Sequence, residues 1–91
     1  MSTPTDHVIG ADEIRADLAR FIERQTKSPV TADLDLFASG LISSLFAMEL
    51  IVHVEGTFGV SVQGDDLKLV NFRTIDAICA LIIGLRGNRR G

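Results

Sequence analysis

Cysteine occurs once in this 91-residue chain, at Cys79, which excludes an internal disulfide framework. That thiol sits among helix-forming apolar residues, the setting of a plain core cysteine rather than a reactive one. Histidine occurs twice, at His7 and His53, and neither has a ligand spacing with Cys79 or with the acids. His7 falls in a terminal segment, and His53 is expected on the solvated surface of a helix. A glycine-rich phosphate loop is missing as well. An enzyme needs a nucleophile beside a base, a metal cluster or paired carboxylates in a pocket, and none of these constellations can be assembled here. Long apolar runs are also lacking: the longest, residues 75–85, is broken by Asp76 and falls far short of the roughly 20 residues that cross a bilayer. The opening "MSTPTDHVIGADE" has no basic start followed by an apolar segment, so a cytoplasmic protein is expected.

Positive charge is absent between Lys27 and Lys68, where Asp33, Asp35, Glu49, Glu55, Asp65 and Asp66 fall. Basic residues gather instead near the start (Arg15, Arg20, Arg24) and the end (Arg86, Arg89, Arg90). An acidic middle argues against a nucleic-acid phosphate backbone as partner and for proteins with a basic docking patch. The same acids also serve simply to keep a small domain in solution.

What is present is apolar patterning. With 46% hydrophobic residues, residues 1–91 are expected to form one compact domain around one core, with 1–9 and 86–91 as flexible tails. Ile14, Leu18, Phe21 and Ile22 make a single amphipathic stripe over residues 12–25. Residues 26–43 have no helical period, yet Leu36, Phe37 and Ile42 are too apolar for a free linker, so a long loop pinned to the core is expected. A second helix is expected over residues 44–58, ending near Gly56 and Gly59. Val60 and Val62 alternate with polar neighbours but have no strand to pair with, so this stretch is read as loop. Asp65 and Asp66 can open one short helical turn reaching about residue 70. Thr74 is placed to cap a helix over residues 75–85, with Asp76 in its first turn. The expected architecture is an all-α, small four-helix bundle: three main helices plus one short helix, with a long loop between helices 1 and 2.

The second helix is apolar on two sides. At about 100° per residue, Phe46, Ala47, Leu50, Ile51, Val54 and Phe58 share one broad core-facing sector. Leu45, Met48 and Val52 fall within about 60° of one another on the other side, flanked by Glu49 and Glu55. On spacing alone this second stripe is either buried because the helix is central, or an acid-rimmed docking surface. Two serines precede the helix. One, Ser43, suffices as N-cap, because its hydroxyl can accept an otherwise unpaired helix N–H. Ser44 then stands at the first helical position, where a covalently attached phosphate would meet free N–H groups and the positive end of the helix dipole.

"DLFASGLISSLFAMELIVHVEGTFGV" resembles the attachment-site region of acyl carrier proteins. The shared features are an apolar pair before the site (Leu41, Ile42), the modified serine (Ser44), the Leu after it (Leu45), an acid-Leu pair further on (Glu49, Leu50) and a closing Phe58. Only Ser44, and not Ser43, keeps these in register. The resemblance continues through "TIDAICALI" and the first helix, so it covers nearly the whole chain. It implies a 4'-phosphopantetheine arm, derived from coenzyme A and attached to Ser44, holding an acyl group as a thioester. It further implies partner recognition through Leu45, Met48, Glu49, Val52 and Glu55, and no catalytic residues or metal in the carrier itself.

The implied partners are a phosphopantetheinyl transferase, an acyl-loading enzyme or acyltransferase and a ketosynthase, met by a monomer. Ser43 stands where the family commonly has Asp, and Glu49 and Glu55 are few acids for a fatty acid carrier of primary metabolism. "GLISSLFAMEL" is similar to free-standing carriers of polyketide and antibiotic pathways. Fatty acid, aminoacyl or peptidyl carriage, or a helical adaptor that binds partners through the Leu45, Met48 and Val52 stripe without cargo, are the alternatives.

Overall fold

The structure is a computed structural model that describes residues 10–88. Three helices, α1 (Ala11–Thr26), α2 (Ser44–Phe58) and α3 (Ile75–Asn88), form the frame. The expected short helix is instead two 3-10 turns, Gly64–Asp66 and Leu69–Phe72. Residues 1–9 and 89–91, assigned to tails from the sequence, lie outside the described residues. Arg86 does not belong to a tail: α3 runs on through Asn88. Leu85 still packs against the core, and Arg86 in the last turn suits the negative end of the helix dipole.

Each helix begins and ends for a local reason. At the start of α1, Gly10 has no side chain to cap with, but its N–H donates to Glu13 Oε1 at 3.2 Å. Lys27 closes α1 in the left-handed conformation at φ 62°, its N–H donating to the Glu23 carbonyl at 2.8 Å. Gly59 closes α2 the same way at φ 68°, a conformation that a residue without Cβ adopts at least cost. Thr74 caps α3 as expected, its Oγ1 accepting from the Ala77 N–H at 2.9 Å.

One core cluster joins all the elements. Ile14, Leu18 and Ile22 of α1 meet Leu50, Val54 and Phe58 of α2 and Ile75, Ile78, Cys79 and Ile82 of α3. Val60 and Val62, outside any helix or strand, are buried beside them. The loop between α1 and α2 is pinned as its composition implied, with Leu36 and Ile42 buried and Phe37 packed on the core's edge. Polar ties complete the anchoring: Leu36 N–H donates to the Arg73 carbonyl at 2.7 Å, and Asp76 N–H to the Ala32 carbonyl at 3.0 Å. Asp35 Oδ1 accepts from the Ala38 N–H at 2.9 Å, while Oδ2 accepts from Arg73 Nη2 at 2.8 Å. The loop is therefore fastened to the start of α3, and it delivers the chain to the start of α2 in a fixed place.

The extra apolar residues of α3 divide. Leu81 packs on the core, whereas Ala80 and Ile83 are exposed.

Two outcomes follow. Leu50→Ala should lower unfolding free energy by about 2–5 kcal/mol in denaturant titrations, whereas Leu45→Ala on the opposite face should change it by less than about 0.5 kcal/mol. The Ala38 N–H, and after it the Arg73 guanidinium, hold the Asp35 carboxyl below its ordinary range. A depressed folded pKa stabilises the fold above the ordinary value and loses that contribution as pH falls through the depressed one. Asp35→Asn should accordingly lower Tm at neutral pH, with the gap to wild type closing as the medium is acidified into the carboxylate range.

Candidate functional site

The site is assembled at the start of α2. Ser43, with extended backbone, is the N-cap: its Oγ accepts from the Phe46 N–H at 3.2 Å, and its carbonyl accepts from the Ala47 N–H at 2.9 Å. Ser44 is the first residue of the helix and is exposed. Its hydroxyl makes no hydrogen bond among the described residues, and neither do the N–H groups of Ser44 and Leu45. An unengaged hydroxyl beside unengaged helix N–H groups fits a covalently bound phosphate in position and in charge. Among the described residues no acid or histidine hydrogen-bonds to Ser44 Oγ.

Beyond the serine, Leu45, Met48 and Val52 are 74%, 59% and 68% exposed, which decides between burial and an open stripe in favour of the latter. Glu49 is exposed beside it and lines a shallow hollow of about 480 Å³ with Gln25, Leu41, Ser43 and Phe46. Glu55 departs from the pattern. It is half-buried, and its Oε2 accepts from the Val62 N–H at 2.8 Å. One of its oxygens therefore holds the chain leaving α2, a duty that its place beside the stripe did not reveal.

His53 is not a solvated surface residue. Its ring stacks on Phe21 with centroids 4.1 Å apart, and its Nε2 lies 2.7 Å from Asp17 Oδ2. Phe46 stacks on the same Phe21 at 5.8 Å. These rings seal the seam between α1 and α2, so the flank of α2 next to α1 is closed and the Leu45 stripe is left open.

Sequence reading missed the other wall of the site. Leu67, Leu69 and Val70, in and beside the second 3-10 turn, are each more than half exposed. Leu67, Lys68, Leu69 and Phe72 face Ser44, Met48 and Ile51 across a groove of about 250 Å³. The signal available was the "LKLV" run, whose apolar residues follow no helical or strand period.

A helical frame that displays one idle hydroxyl at a helix start, next to an open apolar face, has the form of a carrier to which something is attached and carried between partners. The chain matches the family described as "Phosphopantetheine attachment site" over residues 12–82, and it belongs to that family of carrier proteins. Its cofactor is therefore a covalently attached 4'-phosphopantetheine. It is also similar to the D-alanyl carrier protein of Lactococcus lactis subsp. lactis (strain IL1403), at 32% identity over 82% of this chain and 77% of that protein. The D-alanyl carrier protein of Lactococcus lactis subsp. cremoris (strain MG1363) shows 31% identity over the same shares. No described helix is long and apolar enough to cross a membrane.

Cys79 lies apart from this site, buried against Ala11, with its Sγ 3.6 Å from the Ala11 carbonyl and its thiol pushed up by burial. Arm-free native protein should thus resist an aromatic disulfide reagent at neutral pH and release one equivalent of chromophore only on unfolding. Attachment of the arm should add one fast-reacting thiol.

Proposed function

We propose that Ser44 is the attachment point and that the chain is a non-catalytic carrier, a substrate of a phosphopantetheinyl transferase. The observation that carries this is the division of labour between the two serines: Ser43 Oγ is occupied by the Phe46 N–H, and Ser44 Oγ is idle and exposed. In the modification step Ser44 Oγ attacks the pyrophosphate of coenzyme A. A new O–P bond forms, the P–O bond to the adenosine 3',5'-bisphosphate half breaks, and the hydroxyl proton passes to a base on the transferase. Once attached, the arm supplies the thiol that holds cargo as a thioester. This chain's residues provide recognition and effective concentration. Leu45, Met48 and Val52 offer apolar contact, and Glu49, with the free oxygen of Glu55, offers charge to a basic patch on the loading enzyme.

For the cargo, similarity to D-alanyl carrier proteins over most of the chain supports an aminoacyl group activated by a loading enzyme. A polyketide-type acyl group, delivered by an acyltransferase and passed to a ketosynthase, is the second reading. It is supported by the "GLISSLFAMEL" segment and by the bare apolar stripe of α2.

Incubation with coenzyme A, Mg2+ and a broad-specificity phosphopantetheinyl transferase should add one arm to the intact mass. Ser44→Ala should gain nothing. Ser43→Ala, which loses a cap contributing about 1 kcal/mol, should still gain the arm. The reverse pattern would move the site by one residue. Intact mass of the loaded form from its host separates an alanyl from a malonyl-type thioester.

A further inference from the structure

We propose that Phe21, through its stack on Phe46, is a positioning residue for the attachment reaction: from α1 it holds the first turn of α2, so that Ser44 keeps one presentation to the transferase. The proposal rests on Ser44 as the attachment point. That first turn has little to hold it from within. It carries no acid against the positive end of the helix dipole, and its cap, the Phe46 N–H on Ser43 Oγ, is exposed to solvent. Ser44 and Leu45 are exposed, and Ala47 brings only a methyl group to the interior. Phe46 is thus the one large side chain of residues 44–47 that packs on the core. The same residue supplies the capping N–H, so whatever fixes its ring also steadies the cap.

What fixes the ring comes from α1. Phe21 stacks on Phe46 with the ring planes 7° apart and the centroids 5.8 Å apart, and His53 stacks on the same Phe21 at 4.1 Å and 16°. Phe46 and His53 are about two turns apart on one face of α2, and Phe21 reaches in between them. His53 is itself held in place. Its Nε2 donates to Asp17 Oδ2 at 2.7 Å, since a carboxylate can only accept, and its Nδ1 faces Thr57 Oγ1 at 3.4 Å. Asp17 stands one turn before Phe21 on α1, so two residues of α1 interlock with two of α2. A slide of α2 along α1 by one turn would break the Asp17 bond and both stacks together. The axial offset of the two helices, and with it the height at which Ser44 emerges, is set by this interlock. Loosening the stack lets the first turn fray. A frayed turn offers the serine correctly for only part of the time, which raises KM by the inverse of that fraction and leaves kcat unchanged.

Three variants of the full chain test this. Phe21→Leu keeps an apolar side chain in the seam but removes the ring, Phe21→Tyr keeps the stack, and Ile82→Val weakens the core in α3, away from the seam. Amide exchange by 15N NMR on arm-free protein and steady-state modification by the transferase with coenzyme A are the two readouts. Phe21→Leu should speed exchange of the Phe46 and Ala47 amides roughly 3- to 10-fold, the range that an aromatic pair corresponds to, and should raise KM for the carrier with kcat unchanged. Phe21→Tyr should match wild type in both. Ile82→Val should lower Tm yet leave the exchange of Phe46 and Ala47 and the KM as they are. Unchanged exchange at Phe46 and Ala47 in Phe21→Leu would overturn the proposal, as would a fall in kcat at constant KM. A KM rise in Ile82→Val as large as in Phe21→Leu would also overturn it, reducing Phe21 to a contributor to global stability. Wild-type protein that gains no arm would instead refute Ser44 as the site, a result read from the mass, and the exchange rates would still decide whether Phe21 holds the turn.

Discussion

The hydrogen bond from the Phe46 N–H to Ser43 Oγ is the contact on which the site depends. It fixes where α2 begins, and the start of a helix decides which side chain is spent on capping and which is left over. With Ser43 engaged, Ser44 becomes the first helical residue, its hydroxyl outward and two backbone N–H groups unclaimed beside it. Starting the helix one residue later would make Ser44 the cap and leave no idle hydroxyl in the right place. With Ser44 as the proposed attachment point, a contact of about 1 kcal/mol sets the position of the chemistry.

That cap holds only because the segment before it is held. The loop has no regular structure, yet Leu36 and Ile42 sit in the core, Asp35 grips Arg73, and the Leu36 N–H reaches the Arg73 carbonyl. The start of α2 is tied in this way to the start of α3. Along α2 itself, burial of Leu50 and Val54 on one side and the Phe21, Phe46 and His53 stack on the flank orient the helix, so Leu45, Met48 and Val52 are the residues left in solvent. The carrier's outward face is what remains after α1 and the loop have taken their share of an almost uniformly apolar helix.

Much of this was legible beforehand, and the exceptions have physical causes. The stripe of Ile14, Leu18 and Ile22, the Thr74 cap and the left-handed Gly59 are local patterns, and local patterns survive folding. In the sequence, the register of the family resemblance, with Leu45 following and Glu49 and Leu50 in step, is what sets Ser44 apart from Ser43. His53 was misjudged because its partners, Asp17 and Phe21, lie on another helix, and helix periodicity places a residue on a flank without saying what faces that flank. Glu55 looked like a free surface acid because its bond to the Val62 N–H depends on how the chain folds back after Gly59. The groove wall of Leu67, Lys68 and Leu69 was invisible for a related reason: 3-10 turns carry no long period, and their facing α2 is a tertiary fact. The end of α3 was set too early because glycine and arginine near its end read as fraying, although Leu85 still reaches the core.

The account stands or falls on which hydroxyl bears the arm. No Lys or Arg occurs between Ser28 and Lys68, so trypsin releases both serines on one peptide, residues 28–68. Fragmentation of that peptide from arm-bearing wild-type protein reads the position directly. Fragments that place the added phosphopantetheine on the one residue between the Ser43–Ser44 and Ser44–Leu45 bonds are the predicted result. Fragments that place it on Ser43, or on Ser39 or Ser61, would contradict the assignment of the cap and the carrier roles to the two neighbours.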